Sequence, residues 1–93
     1  MEFEWDAAKS QACFDERGFD FSYAAQAFSD PARTIEVDGR RDYGEDRYRL
    51  TGVVQRRLYV VVYTQRPGAV RIISAHKANQ RETRRYEDSA YED

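Results

Sequence analysis

Arg47 and Arg49 stand two residues apart. On a β-strand that spacing puts both side chains on one face, roughly 7 Å from each other, which suits neighbouring phosphates. Arg71, in a later segment of the same character, can join them. A guanidinium group meets phosphate in two-point contact and keeps its charge at any physiological pH. Glu45 and His76 are the nearby groups able to move a proton. Histidine can serve as acid or base near neutrality, whereas a glutamate among arginines is the weaker base. A base, an acid and two or more cationic clamps suffice to cut RNA without a metal. The ribose hydroxyl is deprotonated and attacks the adjacent phosphorus, and the clamps hold the charge that develops. Glu45 and His76 compete as the base, and His76 reads as a clamp or acid rather than the base.

Further candidates surround this set. Lys77 and Arg81 follow His76 where a third helix should begin, so their side chains and the first helix amides can both meet an anion. Tyr86 lies on that helix and can pack or stack. Lys9, one turn into the first helix, has no evident structural duty and is a candidate for substrate contact. Ser74 reads as a hydrogen-bonding strand residue, since no Ser-His-acid arrangement is suggested. Tyr48 alternates away from Arg47 and Arg49 and reads as core. Cys13 reads as a small buried helix residue.

The chain has 93 residues, 15 basic and 17 acidic, with a formal net charge of -2. That near-neutrality hides segregation. Residues 1–39 carry three basic groups against nine acidic ones, a local balance of -6; residues 40–85 carry twelve against four, or +8; the last eight add -4. Eleven of the twelve basic residues in the middle segment are arginine, interleaved with Tyr43, Tyr48, Tyr59 and Tyr63 and followed at once by Tyr86. Arginine beside tyrosine is the composition of a surface on which single-stranded bases stack. The acidic tail from Glu87 to Asp93 could lie across part of it. One cysteine and one histidine exclude an intramolecular disulfide and a Cys/His zinc site and fit a reducing cytoplasm. No apolar run is long enough to span a membrane, and the start lacks the pattern of a signal peptide. The length predicts a single domain over 1–93.

The elements that must position these groups are legible. Phe3–Trp5 reads as a short strand and Asp6 as the cap of a helix over 7–17 that Gly18 ends. Asp20 can cap a second helix over about 21–28, with Phe21, Ala24, Ala25 and Phe28 on one face, stopped by Ser29-Asp30-Pro31. From Arg33 the period becomes two. A strand at 33–37 leads to a hairpin pair, Asp38-Gly39; strands follow at 46–54, 58–64 (buried on both faces) and 70–76, with a turn at Pro67-Gly68. Asn79 and Glu82 then stand as a capping box for a third helix. The expected class is α+β: two N-terminal helices, an antiparallel meander and a C-terminal helix.

Three separated motifs, Phe3-Glu4-Trp5-Asp6-Ala7-Ala8-Lys9, Gly44-Glu45-Asp46-Arg47-Tyr48-Arg49 and Arg71-Ile72-Ile73-Ser74-Ala75-His76-Lys77-Ala78 with Glu82 and Tyr86-Glu87, resemble the BrnT toxins. The resemblance implies a RelE-like ribonuclease fold, no cofactor and membership of a type II toxin-antitoxin pair. Such a toxin cleaves RNA and slows translation. It is neutralised by a small BrnA-like antitoxin with a ribbon-helix-helix domain, through which it reaches operator DNA indirectly. His76 occupies a place where the family usually has a basic residue, most often arginine. A non-catalytic partner of the same fold, acting as corepressor with its antitoxin, is the alternative that this departure supports, and an unrelated single-strand RNA-binding domain is a third.

Overall fold

The computed structural model describes residues 1–39 and 44–89. In chain order it contains β1 (Phe3–Trp5), α1 (Ala7–Arg17), α2 (Phe21–Ala24) running into a 3-10 segment (Ala25–Ser29), β2 (Thr34–Val37), β3 (Tyr48–Val54), β4 (Arg57–Arg66), β5 (Ala69–Lys77) and α3 (Gln80–Ser89). The expected α+β class is observed.

The caps act as their residue types dictate. The Asp6 carboxylate accepts the Lys9 amide at 3.0 Å to start α1. Gly18 ends that helix at φ 85°, a conformation that costs glycine little, with its N–H on the Phe14 carbonyl. Asp20 caps α2 through the Tyr23 amide at 2.8 Å. Ser10 Oγ accepts the Phe21 amide, tying the two helices together. The second helix, expected as one unit to about residue 28, tightens to 3-10 geometry from Ala25. Asp30 ends it and reaches across to accept the Val53 amide of β3 at 2.8 Å.

The strands form one sheet in the order β1-β5-β4-β3-β2. Strands β2 to β5 are the expected antiparallel meander, and β1 joins β5 in parallel, which makes the sheet mixed. The Asp38-Gly39 pair does not close a two-residue hairpin. The Asp38 amide donates to the Arg47 carbonyl at 2.7 Å, and β3 begins only at Tyr48. Arg40 to Tyr43, within that connection, lie outside the described residues, as does the tail from residue 90.

Helices α1 and α2 and the 3-10 segment cover one sheet face. There Phe21, Ala24, Leu50, Val61, Ile72 and Ala75 form the buried core, with Tyr48 against its edge as expected. Strand β4 is buried on both faces from Leu58 to Thr64. Cys13 is buried in this core, and burial pushes its thiol up from the ordinary value. Among the described residues no helix is long and apolar enough to cross a membrane.

Candidate active site on the open sheet face

The opposite sheet face carries the polar chemistry, and strand register arranges it in rows. Glu4 of β1 lies beside Arg71 of β5, which is opposite Thr64 of β4. Arg47, just before Tyr48, continues this row by alternation, since Tyr48 is opposite Tyr63. A second row runs from Glu36 through Arg49 and Val62 to Ser74. A third runs from Thr34 through Thr51 and Val60 to His76. Adjacent strands are about 4.8 Å apart, so Arg71 stands about 10 Å across the sheet from Arg47.

One irregularity brings this set together. Simple alternation along β5 would put Arg71 and His76 on opposite faces, because they are five positions apart. The register steps from Tyr63 opposite Ile72 to Val62 opposite Ser74, leaving Ile73 as an extra residue. That bulge turns Ser74 and His76 onto the face Arg71 occupies.

Each clamp is held by a carboxylate. Arg71 Nη1 donates to Glu4 Oε2 at 2.7 Å. Arg49 lies 3.7 Å from Glu36, whose oxygens also accept from Arg85 at 3.0 and 3.1 Å. Glu45 faces Arg47 at 3.9 Å and Arg66 at 3.3 Å. These pairs are partly exposed, so each is worth at most about 1 kcal/mol, and a phosphate can exchange for the carboxylate. Glu45 therefore stands among guanidinium groups at the margin of the face, where it holds Arg47 and Arg66 in place.

His76 is half-exposed, and its Nε2 lies 3.1 and 3.2 Å from the two Glu82 oxygens. Glu82 closes the expected capping box as well. Its Oε1 accepts the Asn79 amide at 2.9 Å, and its own amide donates to Asn79 Oδ1 at 2.8 Å. That helix amide is thus occupied by the cap and is not free for an anion. Burial pushes the Glu82 carboxyl up, but the Asn79 amide, the His76 ring and the Arg49 charge outweigh it and hold it below the ordinary value.

The remaining candidates are spread out. Lys77 is opposite Tyr59 and points to the helical side, where it lines a groove of about 350 Å³ with Phe14, Phe19 and Tyr23. Lys9 is exposed on α1, across the sheet from the clamps. Arg81 lies on the outer side of α3 in a shallow basin with Arg84 and Arg85. Tyr86 packs on Leu58, Val60 and Ala78 and donates its hydroxyl to Asp30 Oδ2 at 2.7 Å, which anchors α3 over the third row. Glu4, Glu36, Arg66 and Glu82 were not singled out as site residues from sequence. For Glu4 and Glu36 the signal is strand register, which a single sequence does not print, whereas Glu82 is legible only as a cap. Among the described residues no cluster of three or more His, Cys, Asp or Glu side chains could hold a metal.

Burial, together with the Asp30 carboxylate, pushes the Tyr86 phenol up to about 12. The folded state therefore favours the protonated phenol. That stabilisation is complete below the ordinary tyrosine value of about 10 and is lost as pH rises from there towards 12. Tyr86→Phe should flatten the alkaline limb of a urea-unfolding stability profile over this window. A variant that keeps the wild-type limb would show that the phenol does not set it.

A sheet face lined by Arg47, Arg49 and Arg71, with α3 packed over Val60 and a histidine at its margin, can bind a nucleic-acid backbone and exchange protons with it. A comparison with curated proteins finds no match for the chain. Residues 5–82, most of the chain and including Glu45, Arg47, Arg49, Arg71 and His76, match the family described as ribonuclease toxin, BrnT, of type II toxin-antitoxin system. The chain thus belongs to the BrnT ribonuclease toxins of type II toxin-antitoxin systems.

Proposed function

We propose that the chain is a metal-independent endoribonuclease that holds single-stranded RNA across the open sheet face. The observation that carries this reading is the common face of Arg47, Arg49, Arg71 and His76. The arginines exchange their carboxylate partners for backbone phosphates. A base takes the proton of a ribose 2′-hydroxyl, the O2′–P bond forms and the P–O5′ bond breaks, and O5′ takes a proton. The products are a 2′,3′-cyclic phosphate and a 5′-hydroxyl end. Guanidinium charge at the phosphorus supplies what a metal would otherwise provide. His76 is the proton-transfer group, and Glu45 keeps Arg47 and Arg66 in place. Lys77, Arg81 and Lys9 attract RNA from outside this face.

In this reading, which the family match supports, cleavage of RNA inhibits translation and growth in the cytoplasm. A BrnA-like ribbon-helix-helix antitoxin neutralises the chain and carries it to operator DNA. Inducible expression with and without the partner, followed by mapping of RNA ends, tests this reading. Purified protein should give cyclic-phosphate ends at an unchanged rate in excess chelator. Loss of cleavage in chelator would overturn metal independence. The carboxylate on every clamp favours one second reading, a corepressor that never releases its arginines. Protein that cuts no RNA yet sharpens operator binding by the antitoxin would establish it.

A further inference from the structure

The His76–Glu82 contact fixes more than a distance. A neutral imidazole carries one proton, so one ring nitrogen donates while the other accepts. Nε2 lies 3.1 and 3.2 Å from Glu82 Oε1 and Oε2. An ionised carboxylate can only accept, so a ring nitrogen bonded to it must carry the hydrogen. Three observations keep Glu82 in that role. Its oxygen already accepts the Asn79 amide, a backbone donor that cannot reverse direction. Its side chain is only 17% exposed. The Arg49 charge bears on it from β3 and, with the hydrogen bonds, holds its carboxyl below the ordinary value. The link between the two residues is rigid as well, because the Ala78 amide between them donates to the Leu58 carbonyl at 2.9 Å. Nδ1 of His76 has no hydrogen-bond partner among the described residues.

We propose that Glu82 is a positioning residue that fixes His76 as the Nε2–H tautomer, so that Nδ1 is the nitrogen that takes and returns the reaction's proton. This rests on the reading of His76 as the proton-transfer group. In the attack step Nδ1 accepts the 2′-hydroxyl proton while the O2′–P bond forms. The ring is then protonated on both nitrogens, with Nε2–H retained on Glu82, and the Nδ1 proton is available to the departing O5′ as the P–O5′ bond breaks. Once protonated at Nδ1, the ring is cationic and turned towards the substrate, with its far side neutralised by Glu82.

The chain has a single histidine, so a long-range proton–nitrogen correlation spectrum of the labelled protein shows one imidazole spin system. At a pH where the ring is neutral, the wild type should show a protonated Nε2 and an unprotonated Nδ1. In Glu82→Gln the carbonyl oxygen can still cap Asn79, but the amide presents a donor to the ring. The proton should then redistribute towards Nδ1, the Asn79 cap should survive, and kcat on RNA should fall about tenfold or more with KM little changed. A wild-type ring protonated on Nδ1, or nitrogen shifts unchanged by Glu82→Gln, would overturn the proposal. Glu82→Asp, which keeps the charge, should retain the wild-type tautomer and guards against a folding defect in the Gln variant. The spectra read the tautomer whether or not the protein cuts RNA. The predicted spectra with unimpaired cleavage in Glu82→Gln would overturn the catalytic use of Nδ1. Absent cleavage in the wild type would instead overturn the proposed function.

Discussion

Arg71→Ala is expected to slow RNA cleavage about 100-fold, the scale for losing one preorganised charge at a developing oxyanion. The same change should leave stability within about 0.5 kcal/mol, as for surface substitutions away from special contacts. The two halves of this expectation come from the same geometry. Arg71 is one-third exposed, and its described tie is the ion pair with Glu4, which is itself exposed. Such a pair contributes little to the fold. Its guanidinium nevertheless stands in the row with Thr64 and Arg47, on the face the bulge at Ile73 completes. Arg47→Ala should behave alike, and both variants should lose growth arrest on induction. Arg71→Lys separates charge from shape, because it keeps the cation but loses the fork that grips two phosphate oxygens. Cleavage rates on a defined RNA and thermal unfolding of the same preparations measure the two quantities. Full toxicity of both alanine variants, with intact folds, would remove the site from this face.

Gly52→Ala is expected to destabilise the fold by about 1–3 kcal/mol, the range for overpacking a well-filled core, with Gly52→Val costing more. Gly52 lies on β3 opposite Tyr59, on the side covered by the 3-10 segment. A Cβ there would run into the Ala27 carbonyl oxygen, closer than real Cβ atoms approach, and would lie 3.2 Å from both the carbonyl carbon and the Cβ of Ala27. The obstacle is backbone and cannot rotate aside. Asp30 fixes it further by gripping the Val53 amide, so β3 and the 3-10 segment cannot slide apart without losing that bond. Urea unfolding of Gly52→Ala measures the effect. Wild-type stability would mean that this contact yields at no cost.

What the sequence revealed of the fold was what local physics decides. Asp6, Gly18, Asp20 and the Asn79–Glu82 box act within four residues of themselves, and all four perform as their types predict. The face shared by Arg47 and Arg49 is likewise local, because strand alternation sets it. The parallel pairing of β1 with β5 was not legible, because Phe3 and Val70 are distant in sequence and nothing in either segment names the other. The β3–β4 connection also lacked its signal. Gln55 and Arg56 take φ of 47° and 69°, a turn that usually recruits Asn or Gly. The candidate site divides along the same line. The residue types for phosphate chemistry were visible, but the pairing of Arg71 with Glu4 and of Arg49 with Glu36 depends on register. The departure of Lys77 to the other face depends on which way β5 leaves its bulge, which no periodicity encodes.

The N-terminal strand has a consequence for the timing of folding. Because β1 pairs, among the described residues, only with β5, the sheet cannot close while the chain is being made until Ile72 has left the ribosome. Glu4 therefore waits through the synthesis of nearly the whole domain before it meets Arg71. A sheet edge assembled from such distant segments raises the mean contact separation and slows the final closure. The face that carries Arg71 thus stays unfinished until the last strand is made, however early the helices form.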